Sequence, residues 1–486
     1  MSPARRLTSL LFSIAVLWLT AANADPWLAP GDEGLRSDIQ LLADSGILRG
    51  PVTTWPLSWP DIARDVQAAN ESDFDESIAA ALARVRRLSR DASSSGFAGL
   101  GIRARGTNQP TSLRSFDDSP REEGELALRA SWLTEHFAVN LQGSAAAKPD
   151  DDQQFRADGS YLGVNVGNFM ISAGFMERWW GPGWDSSLIL STNARPIPSL
   201  TLERNYTDPF KSKWLSWIGP WRASIALGET EGSDVAVPDV KFLAMRVNFK
   251  PRPWLEFGLT RTAQFCGGDR PCDWQTFTDM LFGRDNGGDP SQEPGNQLAG
   301  YDLRVRSPWR ALPVAFYTQW IGEDEAGSLP SKFIAQAGLE FWGASPFGGY
   351  RLRAEYSDTA CAFNTGATEF NCAYRHHLYP QGYAYRGRII GHSLDNDSQM
   401  FSAAGLLTRT NGDVLSVALR RAKLNRDGTG THAISEAPGD LDNVELRYSK
   451  VFGIGKVSIG LNYNDLSAPD DSGSDVTGSL SWQQGY

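Results

Sequence analysis

Residues Glu125-Leu-Ala-Leu-Arg-Ala-Ser-Trp132 place Leu126, Leu128, Ala130 and Trp132 on one parity and Glu125, Arg129 and Ser131 on the other. Two-residue alternation marks an extended strand with one apolar and one polar face. A turn around Thr134-Glu135 then leads into a return strand ending near Ser144. Strands over 160–166 and 169–177 flank Gly167-Asn168, a two-residue hairpin signal. Further along, Tyr301, Leu303 and Val305 alternate with Asp302, Arg304 and Arg306, and Tyr350, Leu352, Ala354 and Tyr356 with Arg351, Arg353 and Glu355. Asn411-Gly412 joins 400–410 to 413–423, and Phe452-Gly-Ile-Gly455 joins 443–450 to 456–464, where Val444, Leu446 and Tyr448 oppose Glu445 and Arg447. Short turns take turns with long polar loops, which sorts the strand ends between two compartments, as in barrels that cross the bacterial outer membrane. With a weaker strand near 198–205 required by parity, the pattern predicts an all-β architecture: an antiparallel transmembrane β-barrel over 97–486 with about 18 strands.

Composition agrees with spanning by strands. The chain is 41% hydrophobic, yet no stretch after the N-terminus approaches the roughly 18 apolar residues of a spanning helix. A net charge of −11 argues against nucleic acid, which requires a basic footprint. Trp132, Phe137, Phe249, Trp254, Trp309, Trp342 and Phe347 all sit beside short turns, where an aromatic girdle at the periplasmic interface belongs. The chain ends Leu480, Trp482, Gln484, Tyr486 in strand alternation with a terminal aromatic, resembling the targeting signature of outer-membrane proteins.

The N-terminal part reads differently. Arg5 and Arg6, the apolar run Leu10–Leu19 and the box Ala22-Asn23-Ala24 describe a Sec-type signal peptide over 1–24, with Asp25 as the expected mature start. No Cys follows that box to carry a lipid. Residues 25–92 predict a small periplasmic bundle of three helices. Leu35, Ile39, Leu42 and Ile47-Leu48 keep helical spacing up to Gly46 and Gly50-Pro51; Ser58 precedes Pro60 as an N-cap; Asp73 precedes Ile78, Leu82, Val85 and Leu88. So small a bundle is expected to dock on the barrel mouth. Cys266/Cys272 and Cys361/Cys372 form two close pairs. Three connectivities are formally open, and two local disulfides, each pinning a long loop, are expected in an exported protein.

Neither Cys pair nor His376-His377 has zinc spacing, and the acidic runs Asp150–Asp152 and Glu323–Glu325 lack Ca²⁺-loop spacing, so no metal and no cofactor is expected. Those acidic runs read as solvated loop tips. Arg304, Arg306, Arg351 and Arg353 against Glu340 and Glu355 read as an ion network in the lumen, since buried charges must pair. Two loop clusters suit sugars, which offer C–H patches to aromatic faces and hydroxyls to directional polar groups. The first holds Arg178, Trp180, Trp184, Asp185 and Arg195, with a lumen constriction as the equal alternative. The second, Tyr383-Ala-Tyr-Arg-Gly-Arg388, offers Arg386 and Arg388 to acidic groups. His392 and Ser393 invite a nucleophile–base reading, but Gly391-His-Ser-Leu-Asp395 lacks the closing Gly of a nucleophile elbow, and a polar turn is the better reading.

Leu35-Arg-Ser-Asp-Ile-Gln-Leu-Leu-Ala-Asp-Ser-Gly-Ile47, Trp180-Gly-Pro-Gly-Trp-Asp-Ser-Ser-Leu-Ile-Leu-Ser191, Asn193-Ala-Arg-Pro-Ile-Pro198 and Tyr385-Arg-Gly-Arg-Ile-Ile-Gly-His-Ser-Leu-Asp-Asn-Asp397 resemble the Wzi family of capsule-assembly proteins. The resemblance implies an eighteen-stranded outer-membrane barrel with a helical bundle at its periplasmic end. It also implies a non-enzymatic lectin that helps attach or organise capsular polysaccharide at the cell surface. The expected partners are capsular or exopolysaccharide and outer-membrane lipid, with other capsule-export components as further candidates. The rival function is an outer-membrane channel for oligosaccharides or small solutes, and a third is a barrel hydrolase using His392 and Ser393.

Overall fold

The computed structural model describes residues 24–230, 236–268, 270–281, 295–309, 311–325, 330–429, 432–469 and 472–485. The signal-peptide reading, apart from Ala24, and the terminal Tyr486 lie outside them. Eighteen antiparallel strands close a barrel: β1 Gly96–Thr107, β2 Gly124–Leu133, β3 Phe137–Ala147, β4 Tyr161–Val166, β5 Phe169–Gly174, β6 Ser199–Arg204, β7 Trp221–Glu229, β8 Lys241–Arg252, β9 Leu255–Phe265, β10 Gly295–Arg306, β11 Val314–Glu325, β12 Pro330–Ser345, β13 Gly348–Asp358, β14 Gln399–Thr408, β15 Val414–Leu424, β16 Gly439–Phe452, β17 Gly455–Ser467 and β18 Gly473–Gln484. The last strand pairs with the first, from Ser479 opposite Thr107 to Gln484 opposite Ile102, so no edge is left open.

The alternation read from the sequence separates lipid side from lumen. Leu126, Leu128 and Trp132 are exposed on the outer wall while Ala127 and Ser131 are buried; Tyr350, Leu352 and Tyr356 face out while Arg351, Arg353 and Glu355 face in. Trp132, Phe137, Trp254, Trp309 and Phe347 are exposed at one rim, as the girdle requires. Trp342 differs. It shares the inward parity of Glu340, and the Arg351 and Arg304 guanidinium groups lie 5.3 and 5.9 Å from its ring centre.

Connections at that rim are short, save one: residues 205–220 between β6 and β7. Three helices lie at the same end, α1 Glu33–Asp44, α2 Trp59–Ala68 and α3 Glu76–Ala92. Asp32 caps α1 through Leu35 N–H, and the cap of α3 is Asp75, not Asp73, through Ile78 N–H. Ser58 stands at the N-cap of α2 without a side-chain hydrogen bond. Ile39, Leu42, Val66, Leu82 and Val85 form their shared core. The long loops leave from the other rim. Both local disulfides are present there, Cys266–Cys272 and Cys361–Cys372. The first lies just before α4, Trp274–Leu281, whose Met280 packs on Leu243, Ala263 and Phe265, so this helix lies against the outer wall.

The helices are joined to the lumen by charge. Asp44 accepts two hydrogen bonds from Arg304 (2.7 and 3.0 Å), and Arg304 and Arg351 share Glu340 (2.6 and 2.5 Å). Glu33 pairs with Arg353. Beyond α1, Glu256 accepts the backbone N–H groups of Val52 and Thr53 (2.9 and 2.8 Å), and Arg246 donates to Thr54 Oγ1 (2.6 Å) and to Asp302 (2.6 Å). The ion network expected inside the barrel is therefore completed by carboxylates of the helical segment. Replacing Asp44 with Ala leaves two buried guanidinium groups sharing one carboxylate, at a cost of about 3–5 kcal/mol. Limited proteolysis of the folded Asp44→Ala protein should cut within 25–95 under conditions where the wild type resists. Equal resistance would show that apolar packing alone holds the helices.

Candidate functional site

The loops 175–198 and 359–398 turn inward and interlock. Trp179 and Trp180 form a two-residue ladder with Trp55 and Thr54 from the helical segment, and Trp180 N–H donates to Leu190 O. Trp184 is 1% exposed. The Arg36, Arg353 and Arg351 guanidinium groups lie 4.1, 5.2 and 5.5 Å from its ring centre. The N–H groups of Trp184 and Asp185 donate to Glu355 (2.7 and 3.2 Å), and Asp185 accepts two bonds from Arg420 (3.0 and 2.8 Å). Arg178 donates to Thr201 Oγ1 (2.6 Å) and Met176 O (3.2 Å). Arg178, Trp180, Trp184 and Asp185 are thus all spent inside the barrel, and the Trp180 ring, 0% exposed, offers no face to a sugar arriving from solvent.

Arg386 and Arg388 are half-exposed, whereas Arg195 is buried in a loop-to-loop ion network. Arg195 grips Asp158 with two bonds of 2.8 Å and also holds Asp151 (2.5 Å) and Gln153 (3.0 Å). Arg156 takes the other Asp151 oxygen (2.8 Å). Burial works against ionising Asp151, but the bond from Arg195 and the charge of Arg156 hold its carboxyl below the usual range. The acidic run is therefore not simply solvated: Asp151 is a buried tie between the 148–160 and 175–198 loops, while Asp150 remains 62% exposed at its side chain and meets Arg388 at 2.9 Å.

Arg386 and Arg388 stand on a small hairpin, Ala384-Tyr385 against Arg388-Ile389. Its turn residues Arg386 and Gly387 have φ of 51° and 73°, the left-handed pair that a two-residue hairpin demands. Tyr385 and Ile389 anchor it in the buried cluster with Trp180 and Tyr374. Arg388 also donates to Arg121 O (3.1 Å), and Arg121 to Glu177 (2.9 Å). The structure thus brings Arg388, Asp150, Arg121 and Glu177 into one charged cluster, with Arg195 joined to it through Asp151 beside Asp150. Arg121, Arg156 and Asp158 were not singled out from sequence, since they come together only across three loops.

His392 is buried, and its Nδ1 accepts Leu394 N–H at 3.1 Å. Ser393 N–H goes to Ser186 Oγ (3.3 Å), and Asp395 N–H closes a turn on His392 O (3.1 Å). The segment is a hydrogen-bonded turn, as its composition suggested. His376 and His377 stack on each other at 4.6 Å, and no cluster of metal ligands occurs among the described residues.

Closure, the apolar outer belt and a lumen occupied by its own loops define an outer-membrane β-barrel with an internal plug. The family described as capsule assembly protein Wzi matches residues 97–476. An uncharacterised 55.8 kDa protein of the cps region of Klebsiella pneumoniae is 32% identical over 429 residues, covering 87% of this chain and 82% of that protein. Among solved structures, Wzi of Escherichia coli, an outer-membrane protein involved in group 1 capsule assembly and described as a carbohydrate-binding β-barrel, superposes with a TM-score of 0.82 at 28% identity, over 94% of this chain and 99% of that one. OprD of Pseudomonas aeruginosa aligns at a TM-score of 0.44 and 9% identity over 79% of this chain and 92% of that one. The chain belongs to the Wzi capsule assembly family.

Burial drives the His392 pKa from 6.5 down to about 3, against the opposing pull of Asp185. The neutral ring is therefore the native form. Its contribution is complete above pH 6.5 and is lost as pH falls toward about 3, because the unfolded loop takes up a proton that the folded one refuses. Asp397, raised to about 6 mainly by burial, acts with the opposite sign over 3.8 to about 6. A difference measurement separates the two. His392→Asn keeps an acceptor for Leu394 N–H and cannot titrate, so amide protection in 359–398, taken relative to the intrinsic exchange rate at each pH, should fall less on acidification than in the wild type. Superimposable pH profiles would remove His392 from the account.

Proposed function

We propose that this protein binds capsular or other extracellular polysaccharide at its loop face and helps attach or organise it on the cell surface. The arginine hairpin carries the reading. Arg386 stands in the two-residue turn and Arg388 on the strand that follows it, both half-exposed, on a hairpin whose base is locked into the plug. Arg388 rests on Asp150, an exposed carboxylate that an acidic sugar can replace. The described binding of carbohydrate by the related Escherichia coli protein supports the same direction. Arg386 and Arg388 are the proposed contacts and Arg195 holds the loop beside them. Arg178, Trp180, Trp184 and Asp185 keep the platform in place.

Titration with polysaccharide extracted from the source organism tests this. Saturable binding without chain cleavage is expected. Charge-assisted hydrogen bonds contribute about 1.5–3 kcal/mol each, so Arg386→Ala and Arg388→Ala should each weaken binding by roughly tenfold or more, and added salt should weaken it further. Unaltered affinity in both variants would move the site elsewhere. Conduction is a second reading with an observation behind it: cavities of about 160 and 240 Å³ adjoin each other beside β1 and share Asp25, Trp27, Arg103 and Arg105. They have room for water and small ions, and single-channel recording would show whether they connect.

A further inference from the structure

The connection 205–220 is long where every neighbouring turn is short, and barrel closure gives no reason for it. Its first half is tied to the helices: Thr207 Oγ1 donates to Asp61 (2.7 Å), and Arg64 meets Asp208 at 3.1 Å and Tyr206 face-on at 5.0 Å. Its second half goes over the rim. On β7 the inward residues are Arg222 and Ser224, so Trp221 faces outward; on β8 they are Arg246, Asn248 and Lys250, so Phe249 faces outward. Phe210 stacks on Trp221 at 4.6 Å and 11°, and Trp217 meets Phe249 edge-on at 6.3 Å. The segment is therefore folded against the lipid-facing wall, not across the barrel mouth. Gly219 permits the turn: its φ is 71°, and a Cβ there would lie 2.2 Å from Lys250 O.

What this fold-over displays is apolar and basic together. Trp214 is 87% and Trp217 59% exposed, with Leu215 beside them, and Lys211 and Lys213 are exposed on the same stretch. Facing water, two indoles and a leucine are a liability. At a bilayer interface the same set is matched: indoles settle at the headgroup level and lysines reach for phosphate. The patch is continuous with the outer belt through Phe249 and Trp221, which fixes what covers it.

We propose that residues 210–218 are an interfacial phospholipid-binding segment. Trp214, Leu215 and Trp217 enter the leaflet at the helix end, and Lys211 and Lys213 contact lipid phosphates. Through Arg64 and Asp61 the same segment ties the helices to the membrane surface. This stands apart from glycan binding and does not depend on it.

All four cysteines are in disulfides, so Ser216→Cys supplies a single free thiol for a nitroxide. In nanodiscs of phosphatidylethanolamine and phosphatidylglycerol, the spin label at 216 should collide with oxygen in preference to a water-soluble nickel chelate. A label at Asp73→Cys, on an exposed turn of the helical segment, should show the reverse. A water-like label at 216 overturns the proposal. So does shielding that appears only as protein concentration is raised, which would assign the patch to a second copy. A second pair of variants guards against local effects of the label. Trp214→Ser with Trp217→Ser should reduce the gain in Tm on transfer from detergent to nanodiscs, and an intact gain overturns the proposal. Lys211→Gln with Lys213→Gln should lose the difference between phosphatidylglycerol and phosphatidylcholine discs. Persistence of that difference removes the lysines' role.

Discussion

The arginines of the inner wall cannot stand alone. Arg246, Arg304, Arg351 and Arg353 are buried, and a guanidinium without a partner in such a place is far more costly than a paired one. Their partners come from opposite sources: Glu340 and Asp302 from the wall, Asp44 and Glu33 from the helical segment. A barrel without the helices would hold excess positive charge in its lumen, and helices without the barrel would leave Asp44 and Glu33 without their arginine partners. Each half makes the other's burial affordable, which accounts for a small helical bundle having so definite a seat.

The same logic reaches the loop end. Arg36 of α1 lies between the Phe116 and Trp184 rings, at 4.3 and 4.1 Å, and donates to Pro182 O at 2.8 Å. Phe116 comes from one long loop and Trp184 from another, so one arginine of the helical segment touches both. Trp184 and Asp185 then pass the contact to Glu355 and Arg420 on the wall. Helices, plug and barrel form one hydrogen-bonded body from rim to rim, and the hairpin carrying Arg386 and Arg388 stands on its far side.

Much of this was legible in the chain. Parity along Tyr350–Tyr356 and Val444–Tyr448 depends only on neighbouring residues, so lipid face and lumen face could be assigned strand by strand. The two local disulfides are the pairing that close spacing and export favour among three formal connectivities. Trp342 departs from the girdle aromatics because nearness to a turn says nothing of parity, which it shares with the inward Glu340 two residues earlier. The cluster Arg178–Asp185 illustrates a deeper limit. Indoles beside arginine and aspartate compose a sugar site on a surface and an ion-paired plug in a lumen equally well, and only the path of the loop distinguishes them. Asp151 failed for a related reason: its partners Arg156 and Arg195 lie on different loops, and no local pattern announces a tie between them.

That path also bears on the proposed binding of polysaccharide at the loop face. A flexible loop must be ordered when it takes a ligand, and the ordering is subtracted from affinity. Here the first part of the 359–398 loop is braced by Cys361–Cys372, and the loop is bonded to the plug through Tyr374 and Tyr383, whose hydroxyls donate to Leu188 O and Ile189 O at 2.6 and 2.8 Å. The conformational cost at the hairpin base has been met during folding, and only the long arginine side chains and their carboxylate neighbours remain to adjust. Discrimination among acidic polymers would then come from the spacing of charges on a rigid platform, which a chain of regular repeat can match along its length.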